Sequence, residues 1–144
     1  MITCASQDDL EIIAQYTGQA MTEGTLGSYA VGNEAANSMM THVLKNDGTL
    51  FVVKEDDKLA GWVLFGTIKD SITAEPQGFI YELFVFEHNR KKGYGKALLV
   101  ACMEELRHQG LREVKLAVYE GNSALALYEQ IGFTTMKRTM NRTL

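Results

Sequence analysis

Apolar positions along the chain alternate between helical and strand-like spacing. Ile2 to Cys4 suits a short strand, and Leu10, Ile12, Ile13 and Tyr16 then form a helical stripe behind Ser6, a residue type that caps helices. From Thr17 to Asn33, Gly18, Gly24, Gly27 and Gly32 interrupt every helical count, which leaves a mobile connection or a pair of short helices. A second helix is expected from about Asn33 to Lys45, with Met39, Met40, Val43 and Leu44 inward and Asn46-Asp47-Gly48 as its stop. Leu50 to Lys54 and Leu59 to Thr67 flank the polar turn Glu55-Asp56-Asp57-Lys58 and read as an antiparallel hairpin, with Gly61 and Gly66 as candidate bulges.

Asp70 to Gln77 reads as a loop. Phe79 to Phe86 is almost wholly apolar, as in a strand buried on both faces. Beyond a glycine-rich turn, a helix from Ala97 to His108 turns Leu98, Leu99, Cys102, Met103 and Leu106 inward and is stopped by Gly110. Val114 to Tyr119 is a further strand, Ser123 to Ile131 a helix capped by Asn122 or Ser123, and Phe133 to Met140 a last strand. The expected order is β, α, α, β, β, β, α, β, α, β. It fits an α/β (α+β layered) domain whose mixed, mostly antiparallel sheet of about six strands is flanked by about four helices. With 144 residues and no repeat or linker, residues 1–144 form one domain that needs no staple.

Composition narrows the chemistry. Hydrophobic residues make up 46% and charged residues 22%, which excludes a disordered or fibrous chain. Cys4 and Cys102 are far apart, without a Cys-x-x-Cys or histidines at ligand spacing, so neither a disulfide framework nor a metal is expected. No signal-like N-terminus and no run of roughly 18 apolar residues is present, so a soluble, cytoplasmic protein without a membrane partner is expected. The formal net charge of -4 argues against nucleic acid as a partner, since that role needs a broad basic surface.

Against this acidic background Arg90-Lys91-Lys92-Gly93-Tyr94-Gly95-Lys96 stands out, lying between a buried strand and a helix start. Its glycines let the backbone approach a ligand, and the free amides and dipole of the first helical turn favour an anion such as phosphate. Two nucleotide motifs fail here. A Walker A loop would need Ser or Thr after Lys96 and a glycine five residues before Gly95, and a dinucleotide fingerprint would need a glycine at Leu98. A turn built only for packing would not explain the basic residues before Gly93.

Leu83-Phe84-Val85, then Arg90-x-x-Gly93-x-Gly95-Lys96-Ala97-Leu98-Leu99, and then Leu125-Ala126-Leu127-Tyr128-Glu129-x-Ile131-Gly132-Phe133 together resemble the GNAT family of acyl-CoA-dependent N-acyltransferases. The resemblance implies transfer of an acetyl group from acetyl-CoA to a primary amine by direct attack in a ternary complex. It implies that the amides from about Lys91 to Lys96, within the turn Arg90, Lys91, Lys92, Gly93, Tyr94, Gly95 and Lys96, hold the pyrophosphate. The backbone of Leu83, Phe84 and Val85 would pair with the pantetheine arm as an added strand does. Glu82, the one charge inside Phe79 to Phe86, is then the candidate general base, or else a residue facing solvent or a structural ion pair. Tyr128 is the candidate acid for the departing thiolate, or else a core aromatic. Asn122 stands six residues before Tyr128 where the family commonly has an asparagine seven before, so an N-cap role competes with a cofactor contact. His88 reads as a surface loop residue. A homodimer through the last strand is allowed by the same resemblance, and a non-enzymatic acyl-CoA binding module on the same fold is the alternative function.

Overall fold

The computed structural model describes residues 1–144. Strand β1 (Ile2–Cys4) leads into helix α1 (Gln7–Ile13). The Ser6 hydroxyl accepts from the Asp9 amide at 3.2 Å, and the Asp9 carboxylate accepts from the Ser6 amide at 2.9 Å. Such a reciprocal cap is worth about 1 kcal/mol. The glycine-rich stretch forms α2 (Thr17–Gly24) and then a loop before α3 (Asn33–Lys45). Gly18 is needed there for contact. Its amide donates to Asn33 Oδ1 at 2.9 Å, and a Cβ at Gly18 would lie only 2.6 Å from that oxygen.

Strands β2 (Thr49–Glu55), β3 (Lys58–Lys69), β4 (Pro76–Val85) and β5 (Val114–Leu116) complete a five-stranded sheet in the order β1-β2-β3-β4-β5. All neighbours are antiparallel except β4 and β5. The layered α/β domain and its mostly antiparallel mixed sheet are as expected, and so is the hairpin. Its turn residues Asp56 and Asp57 take φ of 49° and 62°, the left-handed pair that suits strand twist.

Several local expectations are corrected. One register shift falls at Ala60, beside Gly61, but Gly66 pairs regularly with Phe79. The second shift lies on β4 instead. Leu64 faces Glu82 and Phe65 faces Ile80, leaving Tyr81 as the extra residue. Strand β4 begins at Pro76, inside the expected loop, whereas β5 stops at Leu116 rather than Tyr119. The last strand, Phe133 to Met140, does not form. Phe133 packs its ring 5.9 Å from that of Tyr128, and the residues beyond it lie exposed, Met136 and Met140 included. Strand formation depends on packing against neighbours, and β5 offers only three half-buried residues as an edge.

Helices α1 to α3 cover one face of the sheet, where Ile13, Ala20, Met40 and Val43 pack on Val52, Trp62, Leu64 and Phe84. The other face is covered by α4 (Tyr94–His108) and α5 (Ala124–Gln130). There Leu98, Leu99, Cys102 and Leu106 of α4 pack on Val53, Val63, Phe65 and Ile80. A single 3₁₀ turn, Glu87–Asn89, joins β4 to the glycine-rich segment that starts α4. No helix is long and apolar enough to cross a membrane.

Candidate active site

The site begins with a sheet that opens. Strand β4 pairs with β5 only at Gly78, Phe79 and Ile80, yet it runs on to Val85. From Tyr81 onward its β5 side has no strand beside it. The Phe86 amide donates to Ala60 O at 3.0 Å, toward β3. Strand alternation therefore points the amide and carbonyl of Phe84 toward β3 and those of Leu83 and Val85 toward the open side. The Phe84 carbonyl agrees with this, because a Cβ at Gly61 of β3 would come within 2.6 Å of its oxygen. Of the three residues expected to pair with an extended ligand, Leu83 turns both backbone groups to the open side and Val85 its amide, while the Val85 carbonyl already accepts from the Arg90 side chain.

The extra residue Tyr81 changes the parity of β4 just before Glu82. Phe79 and Tyr81 share a face, with ring centroids 5.0 Å apart, and Glu82 and Phe84 continue on that same face. The bulge thus delivers a carboxylate into the core under α1 to α3, the kind of re-aiming that bulges perform beside active sites. Glu82 is 8% exposed and pairs with no cation. Its Oε2 accepts from Trp62 Nε1 at 2.6 Å, and the Thr17 hydroxyl at the start of α2 lies 3.3 Å from Oε2 and 3.4 Å from Oε1. Desolvation raises its pKa above the ordinary carboxylate value, and the bonds from Trp62 and Thr17 partly offset that rise.

At the end of β4 the chain makes the predicted turn. Lys91 has φ of 63° and Gly93 of 85°, and α4 starts immediately after. The six amides of Lys91 to Lys96 donate to no acceptor in the chain, whereas the Ala97 amide reaches Gly93 O at 3.1 Å. Left-handed residues alternating with others gather such amides into a concave anion cradle, and these then run into the positive end of a helix.

The basic side chains behave differently from one another. Arg90 folds back along the strand: Nε donates to Val85 O at 2.8 Å, Nη2 pairs with Glu23 at 2.9 Å, and the guanidinium lies 5.5 Å from the Phe84 ring centroid. Lys92 Nζ and Tyr94 Oη both donate to Glu55 Oε1, at 2.9 and 2.8 Å. Those bonds hold the Glu55 carboxyl below its usual range, and Glu55 in turn raises the Tyr94 phenol. Lys91 and Lys96 are exposed and pair with nothing. The amides, rather than a block of free cations, are what this turn presents.

Tyr128 of α5 packs with the α4 side of the sheet, opposite the face that carries Glu82. Burial raises its phenol pKa, and its hydroxyl makes no hydrogen bond within the chain. Asn122 uses both ends of its amide internally: Oδ1 accepts from the Ala124 amide at 2.9 Å and Nδ2 donates to Gly24 O at 3.2 Å. It starts α5 and ties that loop to α2. The structure therefore gathers Leu83, Val85 and the turn along one edge. Glu82 and Tyr128 lie on opposite faces of the sheet.

Trp62 and Thr17 were not singled out from sequence, and Glu55 was read only as part of a polar turn. Trp62 did carry a signal, since a buried indole N–H seeks an acceptor and Glu82 was the one charge on the neighbouring apolar strand. Thr17, Glu23 and Glu55 reach the site only through long-range packing.

A family model described as the Acetyltransferase (GNAT) family matches residues 15–133. The chain is 34% identical over 102 residues, 66% of its length, to an uncharacterized N-acetyltransferase of Bacillus subtilis, of which 61% is covered. It is 30% identical over 104 residues, 67% of its length, to an N-alpha-acetyltransferase of Sulfurisphaera tokodaii, of which 62% is covered. The matched part thus spans 61% and 62% of those relatives. A solved GCN5-related N-acetyltransferase from Ralstonia eutropha shares the fold, with a TM-score of 0.78 at 18% identity over 99% of this chain and 97% of that one.

Proposed function

The chain belongs to the acetyltransferase (GNAT) family, and from that premise we propose that it transfers an acetyl group from acetyl-CoA to a primary amine by direct attack in a ternary complex. One observation carries this reading: an unpaired edge of β4 is joined by a single 3₁₀ turn to six consecutive free amides that run into the start of α4. A strand-like arm ending in phosphates matches both halves of that feature. The Lys91 to Lys96 amides hold the pyrophosphate. Leu83 hydrogen-bonds the pantetheine arm, and the Val85 amide polarises the thioester carbonyl, where negative charge develops.

Glu82 takes a proton from the ammonium form of the acceptor, directly or through water, so that the nitrogen lone pair is free to attack the carbonyl carbon. As the new C–N bond forms, the C–S bond breaks. Tyr128 gives its proton to the departing thiolate, the nitrogen's second proton passes to solvent and restores the phenol by exchange, and Glu82 returns its proton to solvent. A phenol raised by burial is fully protonated at neutral pH, as an acid requires. The relative named as an N-alpha-acetyltransferase makes peptide N-termini reasonable acceptors to test beside small amines. Free Cys4 and Cys102 suit a reducing, cytoplasmic setting.

The test is a screen of small amines and peptide N-termini with acetyl-CoA, reading thiol release. Release that requires an acceptor supports the proposal. Tight acetyl-CoA binding without release across the panel would instead favour a non-catalytic acyl-CoA binding module.

A further inference from the structure

We infer that Trp62 and Thr17 are positioning residues for Glu82: Trp62 pins its Oε2, Thr17 bridges both oxygens, and together they preserve the ionised carboxylate inside an apolar core, with Oε1, clear of the indole, as the proton-accepting oxygen. This rests on the reading of Glu82 as the general base. Trp62 is fully buried, and its ring packs at 4.8 Å from Phe84 and 5.8 Å from Phe86. An indole nitrogen only donates. At 2.6 Å from Oε2 it favours an oxygen that carries negative charge. Thr17 is also fully buried and has a single hydroxyl proton, which it shares between 3.3 Å to Oε2 and 3.4 Å to Oε1. Oε1 therefore receives only the shared Thr17 contact, and the Trp62 bond to Oε2 leaves it the less occupied oxygen for a substrate proton.

The elements packed around Glu82 bring no charge to it. Strand β3 contributes Trp62, and its lysines Lys58 and Lys69 are exposed at the strand ends. Helix α2 contributes Thr17, while its one acid, Glu23, pairs with Arg90 at the far end. Helix α1 holds Ile13 against the same cluster, with its Asp9 paired to Lys54 of β2, and α3 adds Met40 and Val43. The remaining charges of α3, Glu34, His42 and Lys45, form no ion pair with Glu82. With no cation at hand, two neutral donors are what opposes desolvation. Thr17 also stands at the first position of α2, so the helix start and the base are registered to each other by one hydroxyl.

The experiment titrates Glu82 in the intact protein by infrared difference spectroscopy, with Glu82→Gln identifying its carboxyl band, and runs kcat/KM pH profiles in parallel. Trp62→Phe keeps most of the ring packing and removes the donor. It should move the Glu82 titration and the acid limb of kcat/KM upward together by about one pH unit, tenfold in acidity. Thr17→Val should move both by less, and Thr17→Ser should restore them. A purely structural role would lower stability and leave the titration in place, so an unmoved Glu82 band in folded Trp62→Phe and Thr17→Val overturns the inference. If Trp62→Phe does not fold, the Thr17→Val and Thr17→Ser pair decides alone. The base reading fails separately, if Glu82→Gln retains full turnover and the acid limb.

Discussion

The two faces of the sheet handle polarity in opposite ways. Under α1 to α3 the core includes a carboxylate held by Trp62 and Thr17, so its chemistry depends on side-chain identity. Under α4 and α5 the buried cluster is apolar, and the polar groups appear at its rim as the unpaired amides of the turn, so chemistry there depends on backbone conformation. In the proposed reaction the first face would govern proton removal and the second would hold the acetyl carrier. If so, mutations on the two faces should separate kinetically.

The largest effect is expected from Glu82→Gln, which removes the base while keeping an acceptor for Trp62. It should lower kcat/KM by roughly 10²–10⁴-fold and leave acetyl-CoA affinity, measured by calorimetry, unchanged. Loss of both would show that the faces are not separable. Next comes Gly93→Val. A branched side chain at φ of 85° strains the turn by about 1–3 kcal/mol. It should raise KM for acetyl-CoA by about tenfold or more with kcat nearly intact, which is the opposite split. Tyr128→Phe tests whether the second face also takes part in proton transfer. About a tenfold fall in kcat with KM unchanged supports the acid role, and unchanged kcat assigns Tyr128 to the core.

How much of this was legible depended on whether the signal was local. The turn could be read because glycine, positive charge and a helix start are adjacent in sequence, and Gly93, together with Lys91, supplies the left-handed backbone. Ser6 could be read for the same reason. Glu82 stood out as the one charge in an apolar strand, but its burial under α1 to α3 depends on the bulge at Tyr81, and nothing at Tyr81 marks one. Bulge expectations rested on glycine, and Gly66 shows the weakness of that rule. The unformed strand after Phe133 failed for a related reason: residue preference is present there, but the neighbour that would reward it is not. Arg90 and Lys92 looked like free cations because Glu23 and Glu55, which pair with them, lie far away in the chain.

The smallest effect is thermodynamic and tests the first face without substrate. Burial raises the folded pKa of Glu82 above its value near 4.5 in the unfolded chain. Between those two values the folded state binds more protons than the unfolded state, so stability falls as pH rises through that window. The depressed carboxyls act the other way. Asp70, held down by amide bonds from Thr73 and Ile72 and then by Lys115, and Glu55, held down by Lys92 and Tyr94, contribute stability that is lost as pH falls below about 4. On the second face, Cys102 is pushed up to about 12 and Tyr128 above 10, both above the window. Glu82 is thus the raised carboxyl, and its window opens at the unfolded-chain value of 4.5. Thermal melts of the wild type and Glu82→Gln should show similar midpoints near pH 4 and a growing advantage for Glu82→Gln as pH rises from 4.5 through the raised folded value. Parallel curves would mean that Glu82 titrates as an ordinary surface acid, and the contrast between the two faces would then be one of packing alone.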